Sequence, residues 1–223
     1  TLLRPSEIIT NVLGNQPVSL LLGPSHAEEV ARELPTTIVA SSKDIALART
    51  VQEIFTTDRF RVYTNPDMIG VELGAAMKNV IAIAAGICDG LKFGDNSKAA
   101  LITRGLAEIS RLGVVMGAQK NTFSGLTGLG DLITTCISPY GRNRWVGEQI
   151  GKGKKLQEVL EKMEQIAEGV WTTKSVTALS NKLNVEMPIT QEIYNVLFTN
   201  KDPLEAVSNL MMRTPRSEME ELV

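Results

Sequence analysis

The sequence predicts an α/β segment followed by an all-α helical domain, and the change of pattern falls at the Asn65-Pro66 dipeptide. Over residues 1–66, short β-rich runs alternate with helical patterns, which is typical of an α/β sheet. Residues 67–223 show helical periodicity and glycine punctuation with almost no strand signal. The 223-residue chain is 43% hydrophobic, which is enough for one large core or two small ones. We therefore expect two domains, residues 1–66 and 67–223.

The α/β segment is predicted to contain three helices and three strands in alternation. A serine start favours a helix at 6–12, and the apolar run PVSLLL favours a buried strand at 17–22. A helical pattern at 27–34 precedes a β-branched strand, TTIVA, at 36–40. An amphipathic helix at 43–55 and a last strand, FRVYT, at 60–64 complete the series.

The first helix of the second domain, at about 67–91, is unusually rich in glycine and alanine. Small side chains let neighbouring helices approach closely, so we expect this helix to be central. Its longest apolar run, 77–87, is interrupted by Lys78 and Asn79 and is shorter than the roughly 20 residues of a membrane span. It is therefore predicted to be a buried helix. Further helices are predicted at 97–116, 140–151, 156–164, 172–183, 188–198 and 203–210.

The charge and composition exclude several classes of function. The net charge is -2, from 23 basic and 25 acidic residues, which gives no overall field for nucleic acid or for an anionic membrane. Two cysteines without CxxC spacing and a single histidine predict neither a disulfide framework nor a metal site. The start of the chain lacks a signal-peptide pattern. We therefore expect a protein of the reducing cytoplasm, with no stable membrane insertion and no nucleic-acid partner.

Lys78 lies in the middle of the apolar helix, in the segment GVELGAAMKNV. Burial disfavours the charged form of a lysine and moves its pKa toward the range that suits a general base. The alternative is a lysine whose stem follows the helix while its ammonium reaches the surface. Asn79 is interpreted either as a substrate ligand or as a cap on a neighbouring loop.

A glycine-dense segment, SGLTGLGDLITTC, covers residues 124–136. Its spacing is GxxGxG and no strand precedes it, so it is not a dinucleotide-binding fingerprint. One interpretation is a loop whose backbone approaches a ligand closely while Asp131 orients a basic partner. The other is a tight turn between helices with Asp131 as an N-cap.

The segment YGRNRWVG places Arg142, Asn143 and Arg144 where a helix is predicted to begin. Guanidinium, amide and free helix N–H groups together favour a phosphate or carboxylate site. Solvated surface arginines are the alternative. Because Arg142 and Arg144 point in different directions on a helix, we expect at most one of them to face a ligand.

The segment GPSHAEE follows a predicted strand and opens a helix. Ligands bind at the carboxyl ends of strands in open α/β sheets, so Gly23, Ser25 and Ala27 are candidates to line a cleft. The alternative is an ordinary connection with Ser25 as N-cap and Glu28 as its capping-box partner. His26 is interpreted as a plain loop residue.

The segment EGVWT and the methionines near the end of the chain are two further features of the sequence. The segment EGVWT offers one acid, Glu168, and a tryptophan, Trp171, that is predicted to lie in the core. Met211 and Met212 are predicted to be packing residues rather than part of a cofactor site.

In this order, the segments GPSHAEE, GVELGAAMKNV, GLTGLGDLITTC, YGRNRWVG and AEGVWT resemble the NAD(P)-dependent glycerol-3-phosphate dehydrogenase family, bacterial type. The resemblance implies reversible hydride transfer between NAD(P)H and dihydroxyacetone phosphate, giving sn-glycerol 3-phosphate for phospholipid synthesis. It also implies NAD or NADP as cofactor and a homodimer. The implied fold is the remnant of a Rossmann-type domain followed by a helical domain like the C-terminal one of 6-phosphogluconate dehydrogenase.

The resemblance also implies the role of each candidate residue. Lys78 is the implied catalytic proton acceptor and donor at the C2 oxygen. The implied substrate ligands are Gly23, Ser25, Lys78, Asp131, Gly141, Arg142 and Asn143. The implied cofactor contacts are Ala27, Arg142 and Glu168. Where bacterial members often carry a serine, this chain has Gly141, so a backbone N–H replaces a side-chain contact to phosphate.

The chain differs from the family in one larger respect. Family members begin with a strand and a GxGxxG loop, whereas this chain contains no GxGxxG and starts at a stretch, LLRPSE, that lies further along in them. The expectation is a C-terminal portion that binds dinucleotide poorly and is inactive alone. The alternatives are a non-catalytic helical dimerisation or phosphate-binding module, and another two-domain dehydrogenase acting on a sugar acid or hydroxyacyl substrate.

Overall fold

Three strands form one mixed sheet near the start of the chain, in the order β1 (Leu20–Leu22), β2 (Thr36–Ser41) and β3 (Phe60–Asn65). The computed structural model describes residues 2–163 and 165–218. Strands β2 and β3 are parallel, with Ile38 opposite Val62, and β1 is antiparallel to β2. Of the β-branched residues of β2, Thr36, Ile38 and Val39 are buried and Thr37 is half-buried.

The first strand is shorter than predicted. Only Leu20–Leu22 belong to the sheet, whereas the apolar run predicted a strand from residue 17. Leu20 lies opposite Ser41, which is the last residue of β2, so the residues before Leu20 have already passed the end of their partner strand. Pro17 also lacks the N–H that a ladder requires.

Three helices accompany the sheet: α1 (Pro5–Leu13), α2 (Ala27–Val30) and α3 (Ile45–Phe55). The prediction of a helix over 27–34 was wrong, because α2 is a single turn. Glu33 adopts a left-handed φ of 57°, and Pro35 disfavours helical backbone at the residue before it. The carboxylate of Asp44 accepts a hydrogen bond from the N–H of Ala46 and so sets the start of α3.

The second part of the chain is helical, as predicted. Its helices are α4 (Met68–Gly90), α5 (Asp95–Val115), α6 (Asp131–Ile137), α7 (Arg142–Gly151), α8 (Leu156–Leu160), α9 (Glu168–Leu183), α10 (Pro188–Phe198) and α11 (Pro203–Met211). A 3₁₀-helix (Lys120–Ser124) and a π-helix (Leu126–Gly130) lie between α5 and α6. The helix predicted at 156–164 is shorter, and its last residue, Glu164, lies outside the described residues, as do residues 219–223 of the predicted helical domain.

Helix α4 is the centre of the helical part, which confirms the prediction from its small residues. It packs against α5, α6, α7 and α9. A Cβ atom on Gly86 would collide with the carbonyl oxygen of Arg144, and one on Gly147 would collide with the carbonyl oxygen of Ile83. Within the described residues, α4 alone is long and apolar enough to cross a membrane, but 83% of its most apolar window is buried inside the structure. It is a core helix.

Three residues that were predicted to pack inside the protein lie on its surface instead. Trp171 is 57% exposed, because it occupies the outer face of α9, where the ammonium of Lys174 lies 5.1 Å from its ring centroid. Met211 and Met212 are 79% and 81% exposed, since they end α11. The apolar character of these side chains predicted burial. Their exposure instead depends on their place in the helix, on an outward face or at the end.

A buried carboxyl group connects α5 to α10. Glu108 accepts hydrogen bonds from the N–H groups of Ile189 and Thr190, at 2.6 and 3.1 Å, and from the Thr190 hydroxyl at 3.1 Å. It thereby satisfies N–H groups at the start of α10 that have no partner within the helix. Burial raises the pKa of Glu108 to about 7, although these hydrogen bonds act in the opposite direction.

We predict that Glu108 makes the stability of the protein depend on pH. The pKa of Glu108 is about 7 in the folded chain, whereas the ordinary value for a glutamate, which applies to the unfolded chain, is 4.5. The folded state therefore binds the proton more tightly. This contribution is fully present below pH 4.5 and is lost as the pH rises through about 7. In Glu108→Gln, the fall in unfolding free energy across this window should shrink by on the order of 3 kcal/mol. Urea unfolding at several pH values measures it.

The control for this experiment is Glu53→Gln, which removes an exposed carboxylate on α3. Its pH profile should follow that of the unsubstituted protein. Equal slopes for Glu108→Gln and the unsubstituted protein would contradict the prediction.

Candidate functional site

A cavity of about 560 Å³ lies between the sheet and the helical part of the chain. Its volume is within the range of pockets that hold small ligands, about 300–1,000 Å³. One wall is the segment that joins β1 to α2, and the other is formed by α4, α6 and the first residues of α7 and α9. The cavity therefore depends on both parts of the chain.

All of the candidate residues taken from the sequence line this one cavity. They are Gly23, Ser25, Ala27, Lys78, Asp131, Gly141, Arg142, Asn143 and Glu168. They come from five separate segments that span most of the chain. The structure thus brings the candidates together, while the role of each remains a prediction.

Lys78 and Asp131 form an ion pair in the cavity wall. The Lys78 side chain is 18% exposed and that of Asp131 is 4% exposed. The other carboxylate oxygen of Asp131 accepts a hydrogen bond of 3.4 Å from the Thr135 hydroxyl, one turn along α6. The basic partner expected for Asp131 is therefore Lys78. The ammonium points into the cavity toward this carboxylate and does not reach the outer surface.

The interpretation of Asp131 as an N-cap was wrong. Asp131 is the first residue of α6, Gly130 holds the cap position, and no side-chain cap bond is present. The segment before it is also not a loop, because the π-helix Leu126–Gly130 runs directly into α6. Since the helix continues through this point, the Asp131 carboxylate is available for Lys78.

The start of α7 presents Arg142 and Asn143 to the cavity, after Gly141 at the N-cap. The Asn143 side-chain oxygen accepts a hydrogen bond of 2.9 Å from the N–H of Gly169, near the beginning of α9. This bond holds the starts of the two helices together. The Arg142 side chain is exposed and makes no hydrogen bond or ion pair with another described residue.

Arg144 points away from the cavity, as the helical geometry predicted. Its guanidinium donates to the Ser138 carbonyl at 3.0 Å and to the Asp89 carboxylate at 2.5 Å. It therefore stabilises the turn before α7 and the end of α4. Of the two arginines in the segment, Arg142 alone lines the cavity.

The segment after β1 lines the opposite wall. Gly23 has a φ of 144°, and a Cβ there would lie 3.1 Å from the Cα of Ile38, so glycine is required. The interpretation of Ser25 as an N-cap was wrong, because its hydroxyl donates to the Gly23 carbonyl and His26 holds the cap position. Gly23, Ser25 and Ala27 together give this wall little side-chain bulk.

Sequence reasoning missed several residues that line the cavity. They are His26, Ala75, Thr135, Tyr140 and Gln165. The His26 and Tyr140 rings lie 6.0 Å apart between centroids, and the Arg32 guanidinium donates to the Tyr140 hydroxyl at 3.4 Å. The position of Tyr140 immediately before Gly141 was the signal that pointed to it.

The distribution of charge favours an anion at one end of the cavity. Asp131 balances Lys78, whereas Arg142 stands beside the free N–H groups at the start of α7. Glu28 and Glu168 are exposed elsewhere on the lining. In the described part of the chain, no three His, Cys, Asp or Glu residues are grouped so that they could hold a metal ion.

Comparison with known proteins identifies the class. A family model for the C-terminus of NAD-dependent glycerol-3-phosphate dehydrogenase matches residues 67–208, and a model for the N-terminus matches residues 1–48. Together with the sheet and the helical bundle, these matches define the class as a two-part chain, with a Rossmann-type α/β segment before a helical domain. The chain belongs to the NAD-dependent glycerol-3-phosphate dehydrogenase family.

Individual relatives agree with this assignment. The chain is 56% identical over 97% of its length to "Glycerol-3-phosphate dehydrogenase [NAD(P)+]" of Prosthecochloris aestuarii, and 56% identical over 98% to that of Geobacillus kaustophilus. It spans 66% and 64% of the lengths of these relatives.

Solved structures of the family have the same fold. The crystal structure of glycerol-3-phosphate dehydrogenase from Coxiella burnetii superposes with a TM-score of 0.91 at 44% identity, over 93% of this chain and 64% of that one. The enzyme from Plasmodium falciparum gives 0.87 at 27% identity, over 96% and 62%.

We predict that the Lys78–Asp131 pair contributes to stability only while both charges are present. Asp131→Asn should lower the free energy of unfolding by about 1–3 kcal/mol, because the Lys78 ammonium keeps a polar neighbour but loses the opposite charge. The double variant Lys78→Met with Asp131→Leu removes both charges and should recover part of this loss. Chemical unfolding of the unsubstituted protein, Asp131→Asn, the single variants Lys78→Met and Asp131→Leu, and the double variant measures these changes.

The coupling between the two positions is the decisive quantity. Losses that simply add in the double variant would show that the two side chains do not interact.

Proposed function

We propose that this chain carries the substrate-binding and proton-transferring part of an NAD(P)-dependent glycerol-3-phosphate dehydrogenase. The enzyme would reversibly transfer hydride between NAD(P)H and dihydroxyacetone phosphate to give sn-glycerol 3-phosphate. The observation that carries the proposal is the cavity that Lys78, Asp131 and Arg142 line together, in a chain that is 56% identical to a glycerol-3-phosphate dehydrogenase of Prosthecochloris aestuarii. A lysine beside a carboxylate and an exposed arginine at a helix start are what this reaction needs.

Lys78 would carry the proton. In the reduction direction, its ammonium donates a proton to the oxygen at C2 while hydride reaches C2. In the oxidation direction, the amine takes that proton back from the C2 hydroxyl. Asp131 would hold the ammonium in place through the ion pair and would line the substrate space beside it.

Arg142 would bind the substrate phosphate. Its exposed guanidinium can give two parallel hydrogen bonds to phosphate oxygens, and N–H groups at the start of α7 add further donors. Gly141 would lie beside the phosphate without donating its N–H, which is already bonded to the Ser138 carbonyl at 3.2 Å. Asn143 would contribute its amide nitrogen, since its oxygen is already bonded to Gly169. Gly23 and Ser25 would complete the substrate space from the opposite wall.

The residues present fit part of a dinucleotide site. Ala27 adds little bulk after β1, and Ala27, Arg142 and Glu168 border the same cavity. These three would touch the cofactor, which supplies or accepts the hydride. We also propose that residues 1–66 are the C-terminal part of the nucleotide-binding α/β domain and that 67–223 form the substrate domain.

We also propose a location in the cell, an oligomeric state and a use for the product. Both cysteines are free and buried, which fits a cytoplasmic protein. Exposed apolar side chains on and beside α11, namely Leu204, Met211 and Met212, fit a contact in a homodimer. The product would feed glycerophospholipid synthesis.

A second candidate is a non-catalytic phosphate-binding module. The chain contains no GxGxxG and spans 66% of its relative from Prosthecochloris aestuarii, which favours this alternative for the chain by itself. Calorimetric binding of glycerol 3-phosphate, with no turnover either of glycerol 3-phosphate with NAD+ or NADP+ or of dihydroxyacetone phosphate with NADH or NADPH, would support the module. Turnover would exclude it.

We predict that Lys78→Ala lowers turnover by about 10² to 10⁴-fold, the usual contribution of one general acid or base. The assay follows loss of NADH or NADPH absorbance with dihydroxyacetone phosphate, in the chain and in any longer product of its gene. Lys182→Ala, which removes an exposed lysine at the end of α9, is the control and should leave turnover unchanged. Normal turnover in folded Lys78→Ala would remove this lysine from the mechanism.

We predict that Arg142→Ala weakens binding of glycerol 3-phosphate by about one to two orders of magnitude, as expected for hydrogen bonds to a charged group. Arg142→Lys should recover only part of the affinity, because it keeps the charge and loses the planar fork. Calorimetric titration of the chain with glycerol 3-phosphate and with glycerol measures both effects.

The matched control is Arg49→Ala, which removes an exposed arginine on α3. It should bind like the unsubstituted chain. If Arg142→Ala also does so, the phosphate is not held by this residue and the proposed function loses its main support.

A further inference from the structure

We propose that Tyr140 is a positioning residue that holds the start of α7, and with it Arg142, against the segment around α2. Tyr140 would not bind the phosphate itself. It would fix the distance between the two walls of the cavity. This inference rests on the proposed function, because it takes Arg142 as the phosphate ligand.

Tyr140 lies in the turn between α6 and α7, directly before the N-cap Gly141. Its own N–H donates to the Ser138 hydroxyl at 3.2 Å, and the N–H of Gly141 donates to the Ser138 carbonyl at 3.2 Å. The backbone of this turn is therefore defined. Arg142 follows two residues later, so a displacement of Tyr140 moves the base of the arginine.

The Tyr140 side chain reaches across to the opposite wall and contacts both ends of α2. Its ring lies against that of His26, the N-cap of α2, at 6.0 Å between centroids and a tilt of 58°. Its hydroxyl accepts a hydrogen bond of 3.4 Å from Arg32, just after the last turn of α2. The one-turn helix is thus held from both sides by one residue of the helical domain.

The contacts of Tyr140 lie at the cavity, whereas other hydrogen bonds between the two parts of the chain lie near the start of α4. The Arg4 guanidinium and the Ser6 hydroxyl bind the Glu72 carboxylate at 2.5 and 2.7 Å, on the part of α4 before Lys78. The N–H of Lys43 donates to the Met68 sulfur at 3.2 Å, at the first residue of α4. Tyr140, by contrast, lines the cavity itself and makes its contacts there.

Arg142 needs such support because its side chain makes no hydrogen bond or ion pair with another described residue. Its place relative to Gly23, Ser25 and Ala27 is set by the backbone before it. If the walls move independently, the ligand must order them when it binds, and affinity falls. The loss must be smaller than that of removing Arg142, since the guanidinium remains.

The test is calorimetric titration of the chain with glycerol 3-phosphate. Tyr140→Ala removes both the ring contact and the hydrogen bond and should weaken binding by about 3- to 10-fold. Tyr140→Phe keeps the ring contact with His26 and should lose less than about 3-fold. Tyr63→Ala, which removes a 46%-exposed tyrosine on β3, is the control and should bind like the unsubstituted chain.

A double variant separates positioning from direct contact. If Tyr140 acts chiefly through Arg142, then Tyr140→Ala should cost clearly less affinity in a chain that already carries Arg142→Ala than in the unsubstituted chain. An independent, additive loss would overturn the inference. Should Tyr140→Ala fail to fold, Tyr140→Phe and Arg32→Gln replace it: each should weaken binding, and the two together should weaken it no more than either alone.

The outcomes also distinguish this inference from the proposed function. If Arg142→Ala weakens binding and Tyr140→Ala does not, the positioning role is wrong and the proposed function stands. If neither weakens binding, both are wrong. A loss in both single variants, with a loss in the double variant that is clearly smaller than their sum, supports both.

Discussion

The close packing of α4 against α7 is the constraint on which the rest of the structure depends. Gly86 and Gly147 lie where the two backbones meet, and a side chain at either position would collide with a carbonyl oxygen of the other helix. Because the helices cannot separate without losing this contact, the distance between Lys78 on α4 and Arg142 on α7 is fixed. The cavity between them inherits that fixed geometry.

The Lys78–Asp131 ion pair places two ionisable groups in the wall of this cavity. An unpartnered lysine in an apolar helix would pay a large desolvation cost, whereas the structure provides a carboxylate whose side chain is 4% exposed. The pair therefore keeps a proton-carrying group at the cavity wall. Its net charge is close to zero, so the positive end of the site is left to Arg142 and the start of α7. This division suits the proposed substrate, which carries a phosphate at one end and a carbinol nearby.

The α/β part of the chain forms one wall of the cavity, and the residues of this wall are mostly uncharged. Gly23 has to be glycine because Ile38 of β2 lies against it, and the hydroxyl of Ser25 turns back to the Gly23 carbonyl. Buried Glu72 fastens Arg4 and Ser6 to α4, and Tyr140 contacts α2 from the other side. A ligand in the cavity would thus touch two walls that are attached to each other at separate points.

The sequence by itself determined the order of the elements, the central place of α4 and the set of candidate residues, because periodicity, small side chains and local motifs are properties of neighbouring residues. It also predicted that Arg142 and Arg144 diverge, since helical geometry alone decides this. Only the tertiary structure decided that Asp131 pairs with Lys78, that α2 is one turn long and that Trp171 faces solvent. Each of these depends on groups that are distant in sequence, and Tyr140 shows it most clearly: its partners are residues 26 and 32, more than one hundred positions away.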